Sequence, residues 1–327
     1  MVIYLNEKAI APAVFLAPLA GITDLPFRNL VSSFGAGLVV SEMIASQEMV
    51  QAKQSAQEKA ELGFGSDHTA VQLAGREAYW MAEAARMAQD NGAQVIDINM
   101  GCPAKKVVNG YSGSALLKDL DHALTLIEAV VGAVSVPVTL KTRLGWDDQI
   151  RNAPDLARRA EAAGIAMITI HGRTRCQFYK GKADWSAIAE VSQAVDIPVI
   201  ANGDITNAET ARTAMQAAQS AGVMIGRGAQ GRPWMLAQVA SAFAGRAPAA
   251  PPVGDALCDM VLGHYEAMLA FYGVDLGLRV ARKHLGWYMD AAGTAALVRR
   301  AILTATAQQQ VTRLLRTAFT SDVEAAA

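Results

Sequence analysis

Length, composition and charge exclude several classes of protein. The chain of 327 residues is 52% hydrophobic and 18% charged, which suits one large domain with a small second domain. A formal net charge of -1 gives no overall attraction to nucleic acid, so binding of a polyanion would need a local basic patch. Cys102, Cys176 and Cys258 form neither a CxxC pair nor a Cys/His cluster, so we predict no metal site and no disulfide framework.

The N-terminal sequence and the hydropathy pattern predict the compartment. The N-terminus lacks the basic start and long apolar run of a signal peptide, and no uncharged apolar run reaches the length of a membrane span. Together with the cysteine usage, these features predict a cytoplasmic protein that binds no membrane. We expect a monomer.

Short apolar segments alternate with helical patterns through most of the chain. Eight segments have the composition of strands buried on both faces of a parallel sheet: residues 14–17, 38–41, 69–73, 95–99, 138–141, 167–171, 198–202 and 222–226. Each is followed by a segment that can form a helix, most clearly at 76–91, 154–163 and 207–220. Eight such units within about 250 residues predict an α/β fold, a (β/α)8 TIM barrel; a doubly wound open sheet is the alternative.

The composition changes at residues 244–254, which are rich in proline and uncharged apart from Arg246, as in a linker. Beyond this point the pattern is helical without a clear strand, with helices predicted at 255–273, 277–292, 295–304 and 308–318. We therefore expect a barrel over residues 1–243, a linker over 244–254 and a C-terminal all-helical domain over 255–327.

The segment 95–103 is the one around which the other motifs are organised. Residues 95–98 are rich in β-branched side chains, and Asn99 is the polar residue at the carboxyl end of this predicted strand. The turn Gly101-Cys102-Pro103 then holds one thiol just beyond the strand. A free thiol is mostly protonated at neutral pH, so Cys102 can act as an acid toward reactants that Asn99 helps to hold. A buried structural cysteine is the alternative.

Polar residues stand at the carboxyl ends of nearly all the predicted strands, where barrel enzymes place their chemistry. They include Gln72, Asn99, Lys141, Arg143, His171, Asn202, Asp204 and Arg227. A single polar residue of this kind is more often a satisfied structural group than a ligand. A whole series would need a separate buried partner for each member, whereas one ligand in the barrel mouth satisfies them together.

Two of these loops indicate which ligand fills the mouth. Asn202-Gly203-Asp204 follows the seventh strand and Gly226-Arg227-Gly228 follows the eighth, where barrels commonly bind phosphate through backbone N–H groups. Two ordinary glycine turns are the alternative. A phosphate there, with the amide side chains of Gln72 and Asn99 across the mouth, suits flavin mononucleotide (FMN). Lys141 beside the flavin ring would stabilise its anionic reduced form.

Six motifs spread along the chain are characteristic of one enzyme family. They are residues 17–24 (APLAGITD), 97–103 (DINMGCP), 171–175 (HGRTR), 199–204 (VIANGD), 224–229 (MIGRGA) and 282–288 (RKHLGWY). In this order they resemble the tRNA-dihydrouridine synthases, and most closely the bacterial B-type subfamily. The resemblance covers nearly the whole chain, and DINMGCP is its most specific part. Leu19 departs from the family, which usually has Met there, but both side chains are apolar.

The resemblance implies an oxidoreductase that acts on a CH–CH bond, with an FMN-bound barrel, a helical tRNA-binding domain, NADPH as reductant and no metal. A hydride would pass from the flavin to C6 of uridines in the tRNA D-loop, and Cys102 would protonate C5 to give 5,6-dihydrouridine. By position, the FMN-binding residues would be Pro18, Leu19, Ala20, Gln72, Lys141, His171, Asn202, Gly203, Asp204, Gly226 and Arg227. Asn99 is expected to contact the uracil or the flavin, and contacts with the substrate are also expected from Arg143, Arg173, Arg279, Arg282 and Lys283.

The C-terminal helices carry the charge that a tRNA backbone requires. Seven basic residues lie between 279 and 316, with Asp290 as the only acidic one: Arg279, Arg282, Lys283, Arg299, Arg300, Arg313 and Arg316. A solvated helix face is the alternative explanation. Two other functions stay open at this point, a flavin barrel acting on a free pyrimidine and a non-catalytic RNA-binding or regulatory protein.

Overall fold

Eight parallel strands close into a barrel in the computed structural model, which describes residues 1–62 and 68–320. A hairpin of β1 (Ile3–Leu5) and β2 (Lys8–Ile10) precedes the barrel. The sheet then contains β3 (Val14–Leu16), β4 (Leu38–Val40), the two-residue β5 (Ile44–Ala45), β6 (Thr69–Ala74), β7 (Val95–Met100), β8 (Val138–Arg143), β9 (Met167–His171), β10 (Val199–Asn202) and β11 (Gly222–Ile225). Its strands pair in parallel, and the pairings β11 with β3 and β4 with β6 close the circle.

The predicted barrel is therefore confirmed, and the open sheet is excluded. Each of the eight predicted strands lies within two residues of an observed one. Apolar, β-branched composition located them because both faces of a barrel strand are buried. The hairpin β1–β2 and the short β5 were not predicted, since three or two residues carry too little pattern.

Helices follow each barrel strand and cover the outside of the sheet. Those of the barrel are α1 (Leu25–Ser33), α2 (Ser46–Val50), α3 (Gln54–Ala60), α4 (Ala78–Asp90), α5 (Lys105–Asn109), α6 (Leu120–Val131), α7 (Ala153–Ala162), α8 (Ser186–Ser192), α9 (Ala208–Ala218) and α10 (Met235–Phe243). Two 3-10 helices, Gly113–Lys118 and Arg227–Ala229, lie in the loops after β7 and β11. The C-terminal helices are α11 (Gly254–Tyr272), α12 (Val274–Ala291), α13 (Ala296–Thr304) and α14 (Gln308–Thr320).

Local side-chain chemistry fixes where several helices begin. The Asp24 carboxylate accepts a hydrogen bond of 3.0 Å from the backbone N–H of Phe27 and caps α1. Asn207 and Thr210 form a reciprocal capping box at the start of α9. These caps satisfy backbone donors that have no partner within the helix.

The strand register decides which polar side chains meet inside the barrel. Gln72 of β6 lies opposite Asp97 of β7, and Asp97 lies opposite Thr139 of β8. One step further along, Asn99 lies opposite Lys141. Because side chains two residues apart share one face of a strand, all five point to the same side, and all five are buried.

The amino end of the barrel is filled with apolar side chains. Ile3, Leu5 and Ile10 of the hairpin belong to one buried cluster with Val95 and Met167, which begin β7 and β9. The cluster closes that end against water. Polar side chains concentrate at the carboxyl end, where TIM barrels carry their active sites.

Helices α11 to α14 share a second apolar core. It includes Val261 and Tyr265 of α11, Leu285 of α12 and Leu315 of α14. Partly buried side chains of α1 pack against this core, so the helical region rests on the barrel through α1. No helix among the described residues combines the length and hydropathy needed to cross a bilayer.

We propose a domain boundary in the segment between α10 and α11. Helix α10 ends at Phe243 and α11 begins at Gly254, and the residues between them form a turn and an irregular stretch. This supports the division into a barrel over 1–243, a linker over 244–254 and a helical domain over 255–327. Residues 321–327 of that domain lie outside the described part of the chain.

Two buried histidines lie where α1 meets the helical domain. The rings of His264 and His284 are 4.9 Å apart, and both contact the ring of Phe27. His264 Nδ1 lies 2.9 Å from the Tyr288 hydroxyl, while neither ring nitrogen of His284 has a hydrogen-bond partner among the described residues. Burial lowers the pKa of His264 to about 3. Burial, with the neighbouring charges of His264 and Lys283, lowers the pKa of His284 well below its usual value.

We predict that His284→Leu makes the stability of the protein less sensitive to acid. The unfolded chain protonates this histidine below about pH 6.5, whereas the folded chain keeps it neutral, so wild-type stability falls as the pH drops through that range. When the pH is lowered from 7.5 to 5.5, the free energy of unfolding of the wild type should fall by about 1.4 kcal/mol more than that of the variant. Urea titrations at the two pH values measure this, and parallel pH dependences would contradict it.

Candidate active site

A cavity of about 830 Å³ opens at the carboxyl end of the barrel. Cys102, Asn99 and Arg143 line it together with every residue predicted to bind a cofactor: Pro18, Leu19, Ala20, Gln72, Lys141, His171, Asn202, Gly203, Asp204, Gly226 and Arg227. The predicted RNA-binding residues Arg173, Arg279, Arg282 and Lys283 are not in its lining. The volume and the mixture of apolar walls with convergent polar groups are typical of a small-molecule site.

A chain of buried hydrogen bonds runs across the floor of the cavity. Asp97 accepts 2.6 Å bonds from the Thr139 hydroxyl and from Nε2 of Gln72. Gln72 Oε1 accepts a 2.8 Å bond from Nδ2 of Asn99. Asn99 Oδ1 in turn accepts from the backbone N–H of Cys102, at 2.9 Å, and of Gly101, at 3.1 Å. The chain therefore connects a carboxylate inside the barrel to the backbone of the thiol residue.

Asp97 was not among the predicted site residues, although it begins this chain. It is 2% exposed, and burial raises its pKa to about 6, against the opposing effects of Thr139, Gln72 and Lys141. The signal in the sequence is a carboxylate in the middle of an otherwise apolar strand. Such a group is almost never fully buried without partners.

The turn that carries Cys102 is held from both sides. Opposite Asn99, the carbonyl of Cys102 accepts bonds from the backbone N–H of Ser114, at 3.1 Å, and from its hydroxyl, at 2.8 Å. Gly113 has φ +60°, and a Cβ there would lie 2.9 Å from the Cys102 carbonyl oxygen. Only glycine fits this approach, so the half-buried Cys102 side chain is directed into the cavity by a fixed backbone.

Lys141 places a cation deep in the cavity, where its partner is a neutral amide. Its Nζ donates a 3.0 Å bond to Oδ1 of Asn202, whose Nδ2 donates to the carbonyl of Met224. Burial, assisted by the charge of Arg143, lowers the pKa of Lys141 to about 8. A group with this pKa is still mostly protonated at neutral pH. An anion bound beside it would strengthen the charged form.

His171 lies beside the same cations and stays neutral. Burial lowers its pKa well below the usual value, and the charges of Arg143 and Lys141 add to the effect. Its Nε2 is 3.3 Å from Nη1 of Arg173. A neutral imidazole can donate from one ring nitrogen and accept at the other, which suits a contact with a polar ligand.

Arg173, Asp204 and Arg227 form a charged group at the rim between the loops after β9, β10 and β11. Arg173 donates to both carboxylate oxygens of Asp204, at 2.6 and 3.0 Å, and Arg227 lies 3.2 Å from one of them. Burial alone would raise the pKa of Asp204, but the hydrogen bond and charge of Arg173 lower it. With two cations against one carboxylate, the group has a net positive charge beside the glycine loops.

The two arginines near the mouth that are predicted to contact RNA donate hydrogen bonds to other groups of the protein. Arg173 is 2% exposed and also donates to the carbonyls of Lys180 and Gly181. Arg143 donates to the carbonyls of Gly101, Thr174 and Phe178 at 2.8 to 3.0 Å. Both therefore fix the loop after β9 against the barrel, and Arg143 also ties that loop to the turn of Cys102.

Two aromatic residues of the same loop also face the cavity, although the sequence pattern does not indicate this. Phe178 and Tyr179 line the cavity and are 43% and 47% exposed. The Tyr179 ring lies close to two guanidinium groups, with its centroid 5.6 Å from the guanidinium carbon of Arg143 and 5.1 Å from that of Arg227. An irregular loop has no periodicity from which their position could be predicted.

The predicted RNA-binding residues of α12 occupy different environments. Lys283 donates to the carbonyl of Gly21, in the loop after β3 that lines the cavity. Burial lowers the pKa of Lys283, and the charges of Asp24 and Glu42 oppose this effect. Arg282 is half-buried and reaches the carbonyl of Ala305. Arg279 is exposed to solvent. No group of His, Cys, Asp and Glu suited to a metal occurs among the described residues.

Solved structures of other proteins share the fold. Morphinone reductase in complex with tetrahydroNAD aligns with a TM-score of 0.54 at 14% identity, covering 77% of this chain and 92% of that one. A 2-naphthoyl-CoA reductase complex aligns with a TM-score of 0.59 at 12% identity, covering 75% and 52%. At these identities the likeness shows a common fold alone.

Sequence comparison gives a closer relationship. A probable tRNA-dihydrouridine synthase from Rhodobacter capsulatus is 60% identical over 328 residues, covering 100% of both chains. A tRNA-dihydrouridine synthase B from Xanthomonas campestris pv. campestris is 50% identical over 284 residues, covering 87% of this chain and 86% of that one. The sequence profile described as "Dihydrouridine synthase (Dus)" matches residues 15–324. The chain therefore belongs to the dihydrouridine synthase family.

Proposed function

We propose that the protein is an FMN-dependent tRNA-dihydrouridine synthase that uses NADPH to reduce the C5–C6 bond of uridines in the tRNA D-loop. The observation that carries the proposal is the hydrogen-bond chain that holds Cys102 at the edge of a cavity containing the buried cation Lys141. The names of the relatives support tRNA as the substrate.

The residues present fit FMN. The net positive group of Arg173, Asp204 and Arg227 lies beside Gly203, whose φ of +118° turns the backbone sharply at the end of β10. We place the phosphate there. The flavin ring would then lie across the barrel mouth, where Gln72 and Lys141 present polar groups and Leu19 an apolar one. When bound, the flavin supplies the hydride that reaches C6 of the uracil.

The side chains of the protein determine the rest of the chemistry. Lys141 would offer a positive charge to the bound flavin ring, and because its side chain is buried, solvent shields this charge little. Neutral His171 offers a hydrogen bond without adding charge. Cys102 Sγ donates the proton to C5 of the uracil, and the bonds to Asn99 and Ser114 hold it there.

A uridine within a folded tRNA must leave its stack to enter a cavity of this depth. The rest of the tRNA must be held by its backbone, which needs cations that are free to bind phosphate. Arg279, Arg300 and Arg313 of the helical domain are exposed and suited to this. Arg282 and Lys283 would add charge at the junction between the helical domain and the barrel.

Replacing the thiol separates the two half-reactions. We predict that Cys102→Ala retains FMN and its reduction by NADPH, because the cavity is otherwise unchanged. Dihydrouridine formation in tRNA should fall at least 100-fold, the usual contribution of a positioned general acid. Flavin bleaching by NADPH and mass spectrometry of digested tRNA measure the two steps.

The matched control for this variant is Cys176→Ala, because Cys176 is exposed in the loop after β9. It should behave as the wild type in both assays. Full turnover of tRNA by Cys102→Ala would remove Cys102 from the acid role. If the wild type reduced free uridine as fast as tRNA, the alternative function, reduction of a free pyrimidine, would be favoured instead.

Removing the link between Gln72 and Cys102 should slow uridine reduction without emptying the cofactor site. We predict that Asn99→Ala lowers kcat for tRNA by about 10- to 100-fold, because the N–H groups of Gly101 and Cys102 lose their acceptor and the thiol is no longer held. FMN content and the rate of flavin reduction should stay within about twofold. Loss of FMN would show that Asn99 is a cofactor ligand.

A further inference from the structure

A second cavity, of about 520 Å³, is formed by the loops that follow β7, β8 and β9. Tyr111, Lys118, Trp146 and Arg175 line it. Because these loops all leave the carboxyl ends of barrel strands, the cavity lies on the same face of the molecule as the main one. None of these four residues belongs to the main cavity.

Two cations are held over one aromatic ring in this cavity. Lys118 Nζ lies 3.8 Å from the centroid of the Trp146 ring, and the guanidinium carbon of Arg175 lies 4.7 Å from it. Such contacts restrict long, flexible side chains to one region. Nε of Arg175 is buried and has no hydrogen-bond partner among the described residues. The Trp146 ring thus holds the positive charges of Lys118 and Arg175 close together.

The two cations of this cavity are not paired with a carboxylate in the described part of the chain. Neither Lys118 nor Arg175 forms an ion pair within residues 1–62 and 68–320. The carboxylate in the lining, Asp119, caps α6 through a 3.0 Å bond from a backbone N–H. Lys105 and Lys106 of α5 are exposed on the same loop. The positive charge therefore extends beyond the cavity, as suits a ligand with successive phosphates.

Tyr111 adds an aromatic face at the edge of these charges. Its side chain is 72% exposed, and its φ of +55° is an unusual conformation for a residue with a Cβ. The 3-10 helix Gly113–Lys118 follows directly, and its Ser114 binds the carbonyl of Cys102 at 2.8 Å. Tyr111 is thus close in the chain to Ser114, which holds the turn of the reacting thiol.

We propose that this cavity binds a nucleotide of the substrate RNA that flanks the reacting uridine. Its phosphate would lie against Lys118 and Arg175, and its base would stack on Tyr111. Stacking on an exposed ring tolerates any base, so the site holds the strand without restricting its sequence. The inference rests on the proposed function, since it places the neighbour of a uridine that enters the main cavity.

Two variants test the proposal in the full-length, FMN-loaded protein with unmodified tRNA. Tyr111→Ala should weaken tRNA binding about tenfold, as expected when one base can no longer stack. The double variant Lys118→Gln, Arg175→Gln should reduce the slope of log affinity against log salt by about 0.7 to 0.9 for each phosphate that is no longer neutralised. Titrations by fluorescence anisotropy between low and physiological salt provide both values.

The matched controls lie at the opposite end of the barrel. Tyr4→Ala removes a tyrosine that is 62% exposed on β1, and Lys8→Gln removes a lysine of β2. Both should bind tRNA with the affinity and salt slope of the wild type. Equal melting temperatures of all variants exclude an effect of misfolding.

Two results would overturn the proposal. In one, the cavity variants bind tRNA with wild-type affinity and salt slope. In the other, the cavity variants leave tRNA binding unchanged but raise the KM for NADPH in flavin reduction. That result would show that the cavity binds the nucleotide part of NADPH. Failure of the proposed function would appear separately, as absence of dihydrouridine in tRNA treated with the wild-type protein and NADPH.

Discussion

The hydrogen-bond chain from Asp97 to Cys102 is the constraint on which the rest of the site depends. A carboxylate accepts hydrogen bonds only, so Asp97 orients the amide of Gln72, which orients the amide of Asn99. Asn99 then presents its oxygen to the backbone of Cys102. Burying Asp97 costs free energy, as its raised pKa shows, and the two short bonds to Thr139 and Gln72 offset that cost.

The barrel supplies the rigidity that this chain needs. Gln72, Asp97 and Thr139 lie opposite one another on three neighbouring strands, so their contact follows from the parallel register rather than from flexible loops. The N-terminal hairpin fills the amino end with apolar side chains and leaves the polar groups at the carboxyl end. The loops after β7 and β9 are then fixed by Arg143, which donates to three carbonyl oxygens.

Much of this architecture could be predicted from the sequence. Strands buried on both faces have continuous apolar runs, and polar residues at their ends, such as Lys141 and His171, stand out against that background. The same reasoning located Cys102, because a Gly-Cys-Pro turn directly follows such a strand. Each of these features depends on residues close together in the chain.

Interactions between distant segments could not be predicted in the same way. The sequence identifies Arg143 and Arg173 as cations. It does not reveal that their N–H groups donate to backbone carbonyls and to the Asp204 carboxylate. Lys283 bonds to Gly21, more than two hundred residues away, so its charge alone did not reveal its position. Tyr179 lies on an irregular loop, where no periodicity indicates which side chains face the cavity.

The most direct test of the account is an experimental structure of the protein reconstituted with FMN. We expect the phosphate beside Gly203 and Arg227, the flavin ring against Gln72 and Lys141, and Cys102 Sγ facing the ring across a gap that one nucleobase fills. A flavin bound elsewhere would contradict the account. The account would also be contradicted if Asn99 still bound the backbone of Cys102 but the Cys102 sulfur were buried in the barrel wall.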